Sequence, residues 1–127
     1  MKTLLIKDET ATGKVLHEIS LKFQNEYITV RELIATRVSK EVEKYKDDIV
    51  NFTKGLVRPT DLEQRLNNKA NSKIDLEKQI YVALDAFHKN GFFILVDDEQ
   101  VEELDQQFLI TDSTQVSFIK LTPLVGG

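Results

Sequence analysis

The sequence contains no cysteine, which removes disulfides, thiolate metal sites and cysteine-based catalysis from the chain itself. Histidine is scarce: His17 and His88 are the only two. An enzyme built on this chain would have to work with carboxylates, lysines or hydroxyls. No apolar run approaches the ~18 residues that a membrane-spanning helix needs. The N-terminal residues lack the charged-then-apolar layout of a secretory signal, so the cytoplasm is the expected location and no membrane partner is expected. Nor is there a strong excess of one charge, since 17 Lys and Arg against 21 Asp and Glu leave a net charge of −4. That balance supplies no basic footprint for nucleic acid and no polybasic patch for anionic lipid. The absences together lean toward a carrier, modifier or binding module rather than an enzyme.

What is present suits one compact domain. The chain has 127 residues, 41% hydrophobic and 30% charged, which is enough to bury a core. Residues 3–9 read as a first strand, closed by the turn-like Thr10-Ala11-Thr12-Gly13. From Lys14 to Phe23, Val15, His17, Ile19, Leu21 and Phe23 alternate with Glu18, Ser20 and Lys22, the pattern of a half-buried strand. Two strands joined by a short turn bearing glycine make a hairpin. Thr29 and Glu32 then have the spacing of a capping box, and Val30, Leu33, Ile34, Val38 and Val42 recur at helical period. This predicts a helix to about Tyr45 or Lys46 lying across the hairpin.

Residues 47–74 are polar and irregular, with a short helix expected from Asp61 to Leu66 after Pro59 and Thr60. A second long helix is predicted from about Asp75 to Lys89, its stripe formed by Leu76, Ile80, Ala83, Leu84 and Phe87, with Gly91 at the C-terminal cap. Phe92 to Val96 is a short β-favouring run ended by the acidic turn Asp97-Asp98-Glu99. A connection through Val101, Leu104, Phe108 and Ile110 leads to the turn Thr111–Thr114. The last strand, Gln115 to Leu121, alternates Val116 and Phe118 against Ser117, Ile119 and Leu121. Thr122-Pro123-Leu124-Val125-Gly126-Gly127 follows.

That order of elements, and the closing Asp112, Val116, Phe118, Pro123, Gly126 and Gly127, resemble the ubiquitin-like β-grasp family. Its bacterial branch of molybdopterin synthase small subunits and thiamine-pathway sulfur carriers is the most similar part. Residues 92–127 carry the match best, and the first 46 match in order of elements. Residues 47–90 exceed the usual small fold, and two extra residues separate the last strand from Pro123. The resemblance implies an α+β fold, a mixed sheet of four or five strands over one long helix, with the first and last strands parallel at its centre. It divides the chain into a β-grasp domain over 1–121, with a helical insertion at about 47–90, and a tail over 122–127.

The resemblance also implies a function without catalysis, cofactor or metal in this chain. In the family, the carboxylate of the last glycine is adenylated by an activating enzyme using ATP. It is then joined to a target amine, with help from a conjugating enzyme, or converted to a thiocarboxylate that gives sulfur to an acceptor. Gly127 would supply the reacting carbonyl and Gly126 the clearance, because glycine has no Cβ to obstruct a narrow channel. Thr122, Pro123, Leu124 and Val125 would form the extended recognition segment. The size of the insertion leans toward the protein modifier over the sulfur carrier. A binding module with an incidental tail is the reading from another class.

Other features have plainer explanations. His17 reads as a packed strand histidine, and His88 suits a helix C-terminus. The acids Asp97, Asp98, Glu99, Glu102, Glu103 and Asp105 lack the spacing of a calcium loop and read as a solvated turn or a docking surface for a basic partner. Gly13-Lys14 is no phosphate loop, since Asp8 stands where a glycine is needed and Val15 where a hydroxyl should follow. The outward residues Leu5, Ile119 and Leu121 are expected to form an exposed apolar patch for a partner enzyme. The alternative is that Phe52, Leu56, Val57 or the second helix covers that face.

Overall fold

The computed structural model describes residues 1–47 and 72–120, with side chains described for 1–43 and 76–120. The protein is α+β, as expected. Strand β1 (Lys2–Thr10) and strand β2 (Val15–Phe23) form the antiparallel hairpin. At its turn, Gly13 N–H donates to Thr10 O at 2.9 Å and Thr10 N–H to Lys14 O at 2.9 Å. Gly13 sits at φ 91° with open space about it, so backbone conformation rather than crowding demands glycine there. The expected alternation of β2 holds for the buried Ile19, Leu21 and Phe23. It fails at Val15, which is 45% exposed and lies beyond the register shift at Asp8/Glu9, where a bulge breaks the alternation.

A short strand β3 (Tyr27–Thr29) leads into helix α1 (Val30–Asp47). Thr29 Oγ1 accepts from Glu32 N–H at 3.1 Å, the N-cap bond that the spacing predicts. Two further amides of the first turn find carbonyls far along the chain: Val30 N–H donates to Gln106 O at 3.0 Å, and Arg31 N–H to Leu104 O at 2.9 Å. The irregular connection after the acidic turn therefore has a structural task, closing the start of α1. Its last part is strand β6 (Gln107–Leu109), which pairs with β3 in a separate two-stranded ribbon.

Helix α2 (Ser72–His88) packs against α1, and its Phe87 ring lies 5.8 Å from that of Phe92. Its end differs in one detail from expectation. The left-handed residue is Asn90, at φ 63°, not Gly91. Gly91 N–H reaches back to Ala86 O at 2.7 Å and Asn90 N–H to Phe87 O at 3.1 Å, the paired bonds of a Schellman motif. Gly91 is needed for proximity, since a Cβ there would stand 3.2 Å from Ala86 O. The expected helix at Asp61–Leu66 lies outside the described residues.

Strands β4 (Phe92–Val96), β5 (Glu99–Val101) and β7 (Val116–Lys120) complete a mixed five-stranded sheet in the order β2-β1-β7-β4-β5. The first and last strands lie parallel, Ile6 opposite Val116 and Asp8 opposite Phe118. This mixed five-stranded sheet with two described helices packed on it is compatible with a β-grasp arrangement. The core fills the gap with Leu4, Ile6, Leu33, Ile34, Val38, Phe92, Ile94 and Phe118, all almost fully buried.

Glu99 begins β5, which leaves Asp97 and Asp98 as a two-residue turn with φ of 51° and 67°. That is the geometry of a type I′ hairpin, in which both central residues are left-handed. Asp97 also joins β4 to β7: its N–H donates to Gln115 O at 2.8 Å, and its Oδ1 accepts from Gln115 N–H at 2.9 Å. The two acids therefore differ. Asp98→Gly is expected to raise stability by about 0.5–1 kcal/mol, because glycine takes the left-handed position without strain. Asp97→Ala should lower it by about 1 kcal/mol through the lost side-chain bond. Urea denaturation of both variants checks the opposite signs.

Candidate functional site

The site is built on the central strand pair. Inward residues of β1 alternate as Leu4, Ile6 and Asp8, which carries a carboxylate into the apolar layer with 1% exposure. Helix α1 answers it. Its buried stripe runs Val30, Leu33, Ile34, Arg37, Val38, Glu41 and Val42, so Arg37 and Glu41 occupy positions that the helical period turns inward.

Arg37 is fully buried and grips Asp8 with both terminal nitrogens, Nη1 to Oδ1 and Nη2 to Oδ2. Its Nε donates to Glu41 Oε1 at 3.0 Å, one helical turn further on. The guanidinium also covers the Phe118 ring of β7, with Cζ 4.6 Å from the ring centre. Lys120, the last residue of β7, places Nζ 3.5 Å from Asp8 Oδ2. Four charged side chains from β1, α1 and β7 thus meet at the C-terminal end of β7.

The electrostatics follow from burial and pairing. Burial alone would lower the Arg37 pKa, but Glu41 and Asp8 together outweigh it and hold the group above the ordinary arginine value. Lys120 goes the other way. Burial lowers its pKa and the repulsion of Arg37 adds to this, while Asp8 and Glu41 only partly offset the two. Arg37 is therefore a permanent cation, and Lys120 an ammonium held at some cost.

The opposite face of the sheet has a different character. Both described helices pack on the inner face, where Phe87 meets Phe92 and Arg37 meets Phe118. The second helix therefore does not cover the outer face, and Phe52, Leu56 and Val57 lie outside the described residues. Ile119 stands on this outer face, half-buried, opposite Phe93 of β4 and Glu9 of β1. Leu5 shares the face at 47% exposure, but it lies opposite Ser20. Four strand positions separate it from Glu9, about 13 Å, so Leu5 and Ile119 do not form one patch. The apolar neighbours of Ile119 are instead Phe93 and, one step along, Leu95, which faces Ser117. The uninterrupted apolar run Phe92–Val96 was the signal for these two, since a strand apolar on both sides has a second face to cover.

Leu121, Thr122, Pro123, Leu124, Val125, Gly126 and Gly127 lie outside the described residues. The last described residue is Lys120, at the end of β7. No group of three or more potential metal ligands occurs among the described residues, and no described helix is long and apolar enough to cross a membrane. No family model, curated protein or solved structure matches this chain.

The buried cluster carries the first energetic test. Asp8→Ala leaves the Arg37 charge buried with its main partner gone and should cost about 3–5 kcal/mol. Asp105→Ala, which breaks the exposed 3.5 Å pair with Arg31, should cost less than about 1 kcal/mol. Chemical denaturation of the two variants compares them directly.

A second test uses pH. Between the lowered Lys120 pKa of the folded state and the ordinary lysine value, the unfolded chain binds more protons, so stability rises with pH through that alkaline window. Lys120→Met should flatten the rise relative to the wild type, as read from unfolding free energies measured across the window.

Proposed function

We propose that this chain is a ubiquitin-like protein modifier, acting in the cytoplasm, whose Gly127 carboxylate is the reacting group. The observation that carries the reading is the parallel pairing of β1 and β7 at the sheet centre, with Gly126-Gly127 following shortly after β7. On this reading a partner enzyme would draw the short segment Thr122 to Gly127 into an extended path. The chemistry belongs to that partner. The Gly127 carboxylate, encoded as such or exposed by cleavage, attacks the α-phosphorus of ATP and releases pyrophosphate. A thiol of the activating or conjugating enzyme displaces AMP from the acyl adenylate, and a target amine displaces the thiol to leave an amide. The glycines supply access at each attack on the carbonyl.

Nothing in this scheme requires the chain to bind ATP, a metal or nucleic acid. The half-buried apolar residues Ile119, Phe93 and Leu95 on the outer face support the reading as part of a surface on which an activating enzyme would dock. If the same acyl adenylate were met by a sulfur donor, the product would be a thiocarboxylate and the chain a sulfur carrier.

Tagged protein expressed in its native host, beside a version lacking Gly126 and Gly127, separates these outcomes by denaturing gel and intact mass. Heavier species that need the two glycines and contain Gly127 joined to an amine are expected. A single species with sulfur in place of one terminal oxygen would replace the modifier with the carrier. If each version shows only its own unmodified mass, the two differing by just the two glycines, a binding module is left. The deletion should leave the unfolding midpoint unchanged in every case.

A further inference from the structure

Hydrophobic patterning fixes the face of a strand but leaves its register open to even slips. A slip by one residue would turn the inward residues of β7 outward, at a cost the core forbids. A slip by two does not. Moving β7 two places along β1 would set Leu4 opposite Val116, Ile6 opposite Phe118 and Asp8 opposite Lys120, with every inward residue still inward. The bonds of Asp97 to Gln115 join β7 to β4 and would travel with the pair, so they do not oppose the slip.

What the slip changes is the residue lying beneath Arg37. In the observed register the guanidinium holds Asp8 on β1 and covers the Phe118 ring on β7. Both contacts are met together only when Asp8 stands opposite Phe118, as it does. After the slip, Lys120 would occupy the place of Phe118, a second cation under a fully buried one. Like charges with little water between them repel strongly. We propose that Arg37 is a positioning residue that sets the β1–β7 register, selecting Phe118 by stacking and excluding Lys120 by charge. The consequence is one of reach: the slipped register would draw whatever follows β7 toward the sheet by two residues, about 7 Å. The inference concerns the strands themselves and does not depend on the modifier reading.

The absence of cysteine makes the register directly measurable. Lys7 and Ser117 are partners on the outer face, whereas the slip would bring Ser117 opposite Leu5. Two cysteine pairs, Lys7→Cys with Ser117→Cys and Leu5→Cys with Ser117→Cys, report the two registers by disulfide yield under mild oxidation of the full chain. The wild-type background should cross-link through the first pair. Adding Arg37→Met with Glu41→Leu removes the buried cation and the acid bonded to it. The Leu5 share should then rise at least about tenfold, as Lys120 can take the place opposite Asp8 with no buried cation above it. Lys120→Met leaves the bonds among Asp8, Arg37 and Glu41 whole and so retains the fold. It removes the cation that the slip would set beneath Arg37, together with its 3.5 Å pair to Asp8, and should raise the Leu5 share severalfold. Should the double variant not fold, the Lys120→Met result decides alone. A Leu5 share at the wild-type level in every variant that folds overturns the proposal.

Discussion

Taking a guanidinium out of water costs several kcal/mol, and little else in this structure makes sense until that cost is accounted for. Arg37 is fully buried, so its donors must be satisfied inside the protein, and the surrounding elements are arranged to do it. Strand β1 turns an aspartate inward where an aliphatic residue would otherwise stand. Helix α1 supplies a glutamate one turn away. Strand β7 supplies an aromatic face below and an ammonium beside the shared carboxylate. Well-packed aliphatic residues could give comparable stability at these places. The charged version ties three elements together by direction as well as by burial.

The second constraint is the beginning of α1. A helix starts with amides that have no partner inside it, and here they are met by Thr29 on one side and by the carbonyls of Leu104 and Gln106 on the other. Those carbonyls are held in place because β6 pairs with β3 immediately before the helix. The small ribbon thus lies outside the main sheet and serves as a brace between the helix and the returning chain. Arg31 and Asp105 add an exposed ion pair across the same junction.

The sequence made the main architecture readable because its periodicities are clean. Ile19, Leu21 and Phe23 alternate as a half-buried strand should, and Val30, Leu33, Ile34, Val38 and Val42 recur as a helix should. Less legible was everything decided by two distant segments at once. Arg37 and Glu41 fall on the apolar stripe by spacing, and Asp8 falls on the inward side of β1. A charge at such a position reads as an exception until its partner from another element is known. The pairing of β3 with β6 is hidden for the same reason, since three-residue strands carry almost no pattern of their own. At the site, the outward placement of Leu5 and Ile119 was readable from alternation, but their separation depends on the parallel register, which alternation does not encode. Asn90 taking the left-handed cap in place of the adjacent glycine was a matter of one residue.

The parallel pairing of β1 with β7 also sets when this protein can fold during its synthesis. Ile6 and Val116 are 110 positions apart, yet they are neighbours at the centre of the sheet. A ribosome that has delivered the hairpin and both described helices has made a chain whose central strand is missing, with one edge of β1 and the apolar layer beneath it still open. Contacts so distant in sequence are slow to form, because a long loop must close before any of them is gained. The nascent chain therefore stays open to chaperones until its last strand emerges. A truncated product cannot pass as a finished one, so a molecule with a closed core is also a molecule whose synthesis has reached the end of β7.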